Sequence, residues 1–305
     1  MLRKLVKQGR DALTLTVPAK WVKERNLKVG DEVSISIDRS NLIVSSDLKH
    51  VPKKIGFSID KSKKEFIRTL ISGAYRRGFD EISVSFDNPD DAIKIQDACT
   101  SLIGCNVVDH SKNIIIIKVM AGENDEEFPK QLNKMFQTLK FLSSSLKEHL
   151  GGVKKKEEEL SLIRKQLIKL RDHCQRTLNV TGFGGDKRVE YNTLIFLIEK
   201  VGAEYFRLFE CILNNKISVT KKTNELISDQ IYFFDMLSSA FMKGDFLAVG
   251  NLHLESRKDY DDDHSKNTYF KMVTNKGYNP EIVFFCNRIM NYLFALSARM
   301  EIILI

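Results

Sequence analysis

The first thirty residues hold Arg3, Lys4, Lys7, Arg10, Lys20, Lys23, Arg25 and Lys28, opposed before Gly30 only by Asp11 and Glu24. Such side chains do one kind of chemistry unaided. They replace the counterions condensed on a polyanion, above all on nucleic-acid phosphates. The whole chain of 305 residues carries a formal net charge of +8 and a pI near 9.1, a balance that favours an anionic partner. Charge alone does not separate nucleic acid from an anionic membrane surface.

No other constellation assembles an active site. The cysteines Cys99, Cys105, Cys174, Cys211 and Cys286 are scattered and odd in number, without a Cys-x-x-Cys pair. They read as small reduced hydrophobes, so a reducing compartment is expected. Gly182 to Gly185 lacks a preceding strand and a following Gly-Lys-Ser/Thr, so it reads as a helix connection and not a phosphate loop. The run Asp259 to His264 has ligand-type side chains without EF-hand spacing and reads as a solvated loop or helix end. Glu123, Asp125, Glu126 and Glu127 suit a helix N-terminus. Lys154 to Lys156 followed by Glu157 to Glu159 reads as a charge-paired solvent face. The six histidines form no Ser-His-Asp or Cys-His set. The expectation is a protein that is not an enzyme, with no cofactor and no metal.

The elements that must position the cations follow from the hydrophobic period. Over residues 1–47, Leu13, Leu15 and Val17 alternate with threonines, and Val33, Ile35 and Ile37 with polar residues. Val17-Pro18 closes a strand, Ala19 to Arg25 makes a short helix, and Asn26 with Gly30-Asp31 ends it. Leu42 to Val44 supplies the last strand. The order is strand, strand, helix, strand, strand. Residues 50–121 read as βαβαββ, a small α/β layer. Its first helix, Lys61 to Arg77, carries Phe66, Leu70, Ile71 and Ala74 on one face and stops at Gly78. Ile82, Val84 and Phe86 alternate with serines, and Pro89-Asp90 opens a second helix running to Ile103. From residue 123 to 305 the period is helical. Leu160, Ile163, Leu167, Leu170 and Cys174 form a seam, and glycine or asparagine breaks divide the region into six helices, read as two three-helix hairpins.

The segment up to Val33 resembles the AbrB/MazE/SpoVT swapped-hairpin family. The resemblance lies in Arg3-Lys4, Gly9-Arg10, Val17-Pro18, Lys20 with Lys23, and Leu27 to Val33 with its Leu-x-x-Gly-Asp core, in that order, and covers residues 2 to 46. It implies an intertwined homodimer through residues 1–47 that binds double-stranded DNA. By position, Arg3, Lys4, Arg10 and Lys23 are the foremost DNA contacts, with Lys7 and Lys20 behind them. The segment Asp11 to Thr16 is longer than in the bacterial transition-state regulators, and Asp11 sets an anion beside Arg10. Trp21 reads as dimer-core packing and not as a base-stacking platform.

The helices after Glu123 are similar to PhoU, the phosphate-uptake regulator of two three-helix bundles, and the whole order of parts resembles the archaeal version of that family. PhoU proteins carry paired carboxylates at i, i+4 on the third and sixth helices. The matching stretches here are Ile198 to Glu204, with Ala203 at the second acid's place, and Asn287 to Tyr292, with Asn287 and Asn291 replacing both acids. Amides are poor ligands for hard cations, so no PhoU-type metal cluster is expected.

The fold class expected is therefore α+β and multidomain: a swapped-hairpin β domain, an α/β connector and a PhoU-like helical pair. The function implied is transcription regulation of phosphate uptake or metabolism, with the helices sensing an effector or docking a transporter or signalling protein. A hinge between Ser45 and Lys54 would change how the basic heads meet two half-sites. The alternatives are a regulatory scaffold that docks on a phosphate transporter or kinase without binding DNA, and an antitoxin. The ordered helical pattern argues against the disordered tail that an antitoxin uses. Ile282 to Ile305 is the most apolar stretch, but Arg288, Asn291, Arg299 and Glu301 interrupt it, which fits a buried helix and not a membrane span. No apolar stretch follows the basic N-terminus as in a signal peptide, so a cytoplasmic location is expected.

Overall fold

A computed structural model describes residues 2–10, 12–38, 41–45, 52–59, 64–120, 122, 126–257, 272, 275 and 277–305. The expected hinge and the acidic run Asp259 to His264 fall wholly or largely outside them, as do Asp11, Glu123 and Asp125. The chain is mixed α+β and divides into two compact units, Met1–Lys53 and Lys54–Ile305.

The first unit is built from ribbons. β1 (Val6–Gln8) pairs antiparallel with β2 (Ala12–Thr14), and β3 (Ser34–Asp38) with β4 (Asn41–Ser45), as two separate two-stranded sheets. α1 (Ala19–Glu24) lies between them in the chain. The strand expected to reach Val17-Pro18 stops at Thr14, because Leu15 to Pro18 finds no ladder partner within the described chain. Asn26 ends α1 in the left-handed region at φ +52°. Its backbone N–H donates to Lys23 O and that of Leu27 to Val22 O, which caps two otherwise orphaned carbonyls. The Leu-x-x-Gly-Asp turn then closes on itself, with Lys28 N–H donating to Asp31 Oδ2 at 2.7 Å and Asp31 N–H to Lys28 O at 3.1 Å. No described side chain of this unit is buried.

The second unit begins with a layered α/β part: β5 (Lys54–Ile59), α2 (Lys64–Arg76), β6 (Glu81–Phe86), α3 (Asp90–Thr100), β7 (Cys105–Ser111) and β8 (Ile114–Val119). The sheet order is β5-β6-β8-β7, with β5 and β6 parallel and the other pairs antiparallel. The period-2 alternation decides which face is covered. Ile59, Ile82, Val84, Phe86, Ile115 and Ile117 are buried and cluster with Ile67, Ile71 and Tyr75 of α2 and Ile95 and Cys99 of α3. The opposite face carries Lys54, Glu81, Ser83 and Lys118, and Lys54 and Lys118 both pair with Glu81. The apolar face of α2 differs from the expected one. Phe66 is 53% exposed, and the buried stripe is Ile67, Ile71, Ala74 and Tyr75. That stripe follows the 3.6-residue period, which puts Phe66 on the flank. α3 stops at Thr100 and not at Ile103, where Thr100 and Ser101 hydroxyls donate back to Asp97 O and Ala98 O.

Among the described residues, the helices that follow include α4 (Glu127–Leu150), α5 (Glu157–Thr181), α6 (Arg188–Asn214), α7 (Lys221–Met242), α8 (Phe246–Arg257) and α9 (Pro280–Leu304). α4, α5 and α6 pack on one another, as do α7, α8 and α9, and the two triplets join chiefly through α6 against α9. One continuous core serves both. α5 and α6 cross closely at Gly202, where a Cβ would come within 2.3 Å of Leu167 Cδ2. No described helix is long and apolar enough to cross a membrane.

The α/β layer and the helices form one unit through a buried polar seam. Arg176 of α5, fully buried, donates to the carbonyl oxygens of Tyr75 and Phe79 and to Asp80 Oδ1. Beside it, the Gln131 amide lies 2.8 Å from His173 Nε2. An amide N–H only donates, so Nε2 accepts, and the His173 proton sits on Nδ1, facing Tyr75 Oη at 3.0 Å. The Tyr75 hydroxyl then donates to Ile103 O. Burial, helped by Arg176 nearby, pushes the His173 pKa down to about 4.

Candidate nucleic-acid interface

The six candidate cations occupy three kinds of place in the first unit. Arg3 and Lys4 lie on the irregular segment before β1. Lys7 is in β1, and Arg10 is in the tight turn to β2, where Gly9 takes φ +76°. Lys20 and Lys23 are one turn apart on α1 and so share a side of it. All six are exposed.

The register sorts them further. Lys7 stands opposite Leu13, and Val6 opposite Thr14, so Lys7 shares its face with an apolar residue that is itself 61% exposed. Thr14 Oγ1 donates to Val6 O at 3.1 Å and ties the foot of the ribbon. Lys7 therefore sits on the apolar side of the hairpin and Arg10 at its tip. A single copy brings Lys20 and Lys23 together, but it does not gather all six cations on one face of one element.

Neutralisation is slight. Among the described residues, the six form one ion pair, Lys20 Nζ to Glu24 Oε1 at 3.9 Å, with both side chains in solvent. An exposed i, i+4 pair of that kind contributes roughly 0.3–0.5 kcal/mol, too little to withdraw Lys20 from an anion. Arg25 is half-buried, and Trp21 beside it is also partly covered.

Glu199 and Glu204, the two acids of the α6 stretch Ile198 to Glu204, are held by arginines. Glu199 is buried and ion-paired with Arg164 and Arg171. Glu204 is fully buried, with Arg207 at 2.7 Å and Arg288 at 2.8 Å on its Oε1. These arginines supply the countercharge that a cation would otherwise bring. Arg164 and Arg288 are not legible in the sequence as partners of these acids, because they lie 35 and 84 residues away along the chain. Among the described residues, no three His, Cys, Asp or Glu side chains form a group that could hold a metal. The five cysteines are unbridged, and hydrogen bonding by Cys105 lowers the Cys99 thiol pKa. In comparison with known proteins, the chain matches no family model, no curated protein and no solved structure.

Proposed function

We propose that this chain is a DNA-binding transcription regulator whose first unit completes itself against a second copy and presents the combined cations to the duplex. The carrying observation is the absence of any buried side chain among the described residues of that unit, although Leu5, Val6, Leu13, Leu15 and Ile35 are all there to be buried. An isolated two-stranded ribbon is marginal in water, and burying each such side chain contributes roughly 1.5–3 kcal/mol. A second copy offers the same apolar faces in self-complementary form and doubles Arg3, Lys4, Lys7, Arg10, Lys20 and Lys23. The swapped-hairpin resemblance supplies the form of that dimer, intertwined through residues 1–47. The PhoU resemblance supplies the subject of regulation, phosphate uptake or metabolism, with the helices as the sensing or docking part.

Duplex-DNA affinity measured against salt concentration tests this. Each phosphate contact contributes about 0.9 to the negative log–log slope. Changing Arg3, Arg10 and Lys23 to alanine removes three cations per chain, so the slope should flatten by up to about 5 per dimer. A wild-type affinity that is weak and insensitive to salt would overturn DNA regulation and leave a dimerising scaffold.

A further inference from the structure

A second concentration of positive charge lies far along the chain from the first unit. α2, α3 and α5 enclose a half-open cleft of about 320 Å³ lined by Arg68, Lys94, Lys165 and Lys169, with Asp97 the one acid in its lining among the described residues. Lys94 is tied to the buried Asp91 at 2.6 Å. Among the described residues, Arg68, Lys165 and Lys169 make no ion pair.

Those three charges are placed at an energetic disadvantage unless something binds them. Lys165 and Lys169 are one turn apart on α5, a like-charge spacing that costs a few tenths of a kcal/mol in a helix. The one acid three or four residues from either lysine is Asp172. It is already engaged by Arg76 and Arg171 at 3.0 and 2.8 Å. The C-terminal end of α3 also lines the cleft, at Thr100 and Ser101. A helix end contributes only about half a charge, against four full positive ones. Net of Asp97 and of the Asp91 partner, about two positive charges remain for a ligand.

The size and lining narrow the class. The volume is at the lower end for small-molecule sites. Among the described residues no aromatic ring lines the cleft, so they offer a base nothing to stack on. We propose that this cleft binds a compact oligophosphate, of the pyrophosphate or tripolyphosphate class, through Arg68, Lys165 and Lys169. The site is independent of the DNA-binding reading, because all its residues belong to the second unit.

Calorimetric titration of the full chain at fixed ionic strength tests it, with pyrophosphate, tripolyphosphate, ADP and orthophosphate as probes. Saturable binding of one pyrophosphate or tripolyphosphate per chain is expected, with orthophosphate weaker. Lys165→Gln with Lys169→Gln should weaken it by roughly tenfold or more, and Arg68→Gln should weaken it as well. Lys216→Gln, at an exposed site elsewhere, should not change it. Nor should Arg3→Ala, Arg10→Ala and Lys23→Ala, which separates this test from that of DNA binding. ADP binding as tightly as pyrophosphate, and lost in the same variants, would support the site and identify the source as a nucleotide. The proposal is overturned by absence of saturable binding at millimolar concentration. It is equally overturned by a loss in Lys216→Gln equal to that in the α5 double variant, which would mark a diffuse field and not a site.

Discussion

The two units of this chain use similar local patterns and reach opposite results. In β6 of the second unit, Ile82, Val84 and Phe86 alternate with polar residues and are almost wholly buried. In the first unit, Leu13 and Ile35 sit in strands of the same kind and remain about 60% exposed. The difference is what the chain itself provides on the other side. α2 and α3 cover β6, whereas nothing among the described residues covers β2 or β3. Alternation specifies a face to be buried. Only a second layer buries it.

The comparison can be broken most forcefully in the first unit. If Leu13 faces a second copy, Leu13→Ser removes two buried leucines per dimer, roughly 3–6 kcal/mol in total. Analytical ultracentrifugation should then show dissociation at least a hundredfold easier, with thermal unfolding of the second unit unchanged. An unchanged dimer would mean that the apolar face of the hairpin is not the interface.

The next largest effect belongs to the second unit. Arg176→Ala removes the buried guanidinium that Asp80 and the Tyr75 and Phe79 carbonyls share, a loss of about 3 kcal/mol. Denaturant unfolding of the full chain should register that loss while dimerisation stays as it was. A change below about 1 kcal/mol would mean that the seam is wet and the two layers are less firmly joined.

The smallest effect is set by pH. His173 is neutral in the folded seam with a pKa near 4, below the value of about 6.5 for an exposed histidine. The unfolded chain therefore binds a proton first as pH falls. The stability linked to this group is present in full above about pH 6.5, is lost progressively down to about pH 4, and levels off below. The loss is roughly 3 kcal/mol in all. His173→Gln should flatten the stability profile over that interval. An identical profile in the variant would assign the acid sensitivity elsewhere.

Much of the architecture is legible in the sequence. The order of strands and helices follows from hydrophobic period, and helix ends follow from residues that tolerate positive φ. Asn26, Gly78, Gly182 and Gly244 all adopt it. Gly78 is required twice over, since a Cβ there would also come within 2.9 Å of Val180 Cγ2. The candidate cations of the first unit were equally legible, because they crowd together in the chain with few acids. The missed features depend on distant partners. Arg176 looks like any surface cation in the run from Leu170 to Val180, yet it is fully buried. Phe66 looks like a core residue and lies outside the core. Arg68 and Lys165 are nearly a hundred residues apart and line one cleft.

By itself, the sequence determined the elements, their order, the charge of the first thirty residues and the faces that need cover, because these rest on interactions within a few residues of one another. The tertiary structure alone decided which faces find cover within the chain, which charges are neutralised by remote arginines, and which lysines converge. Burial and Coulomb energies depend on distance in space, and sequence separation leaves that distance undetermined.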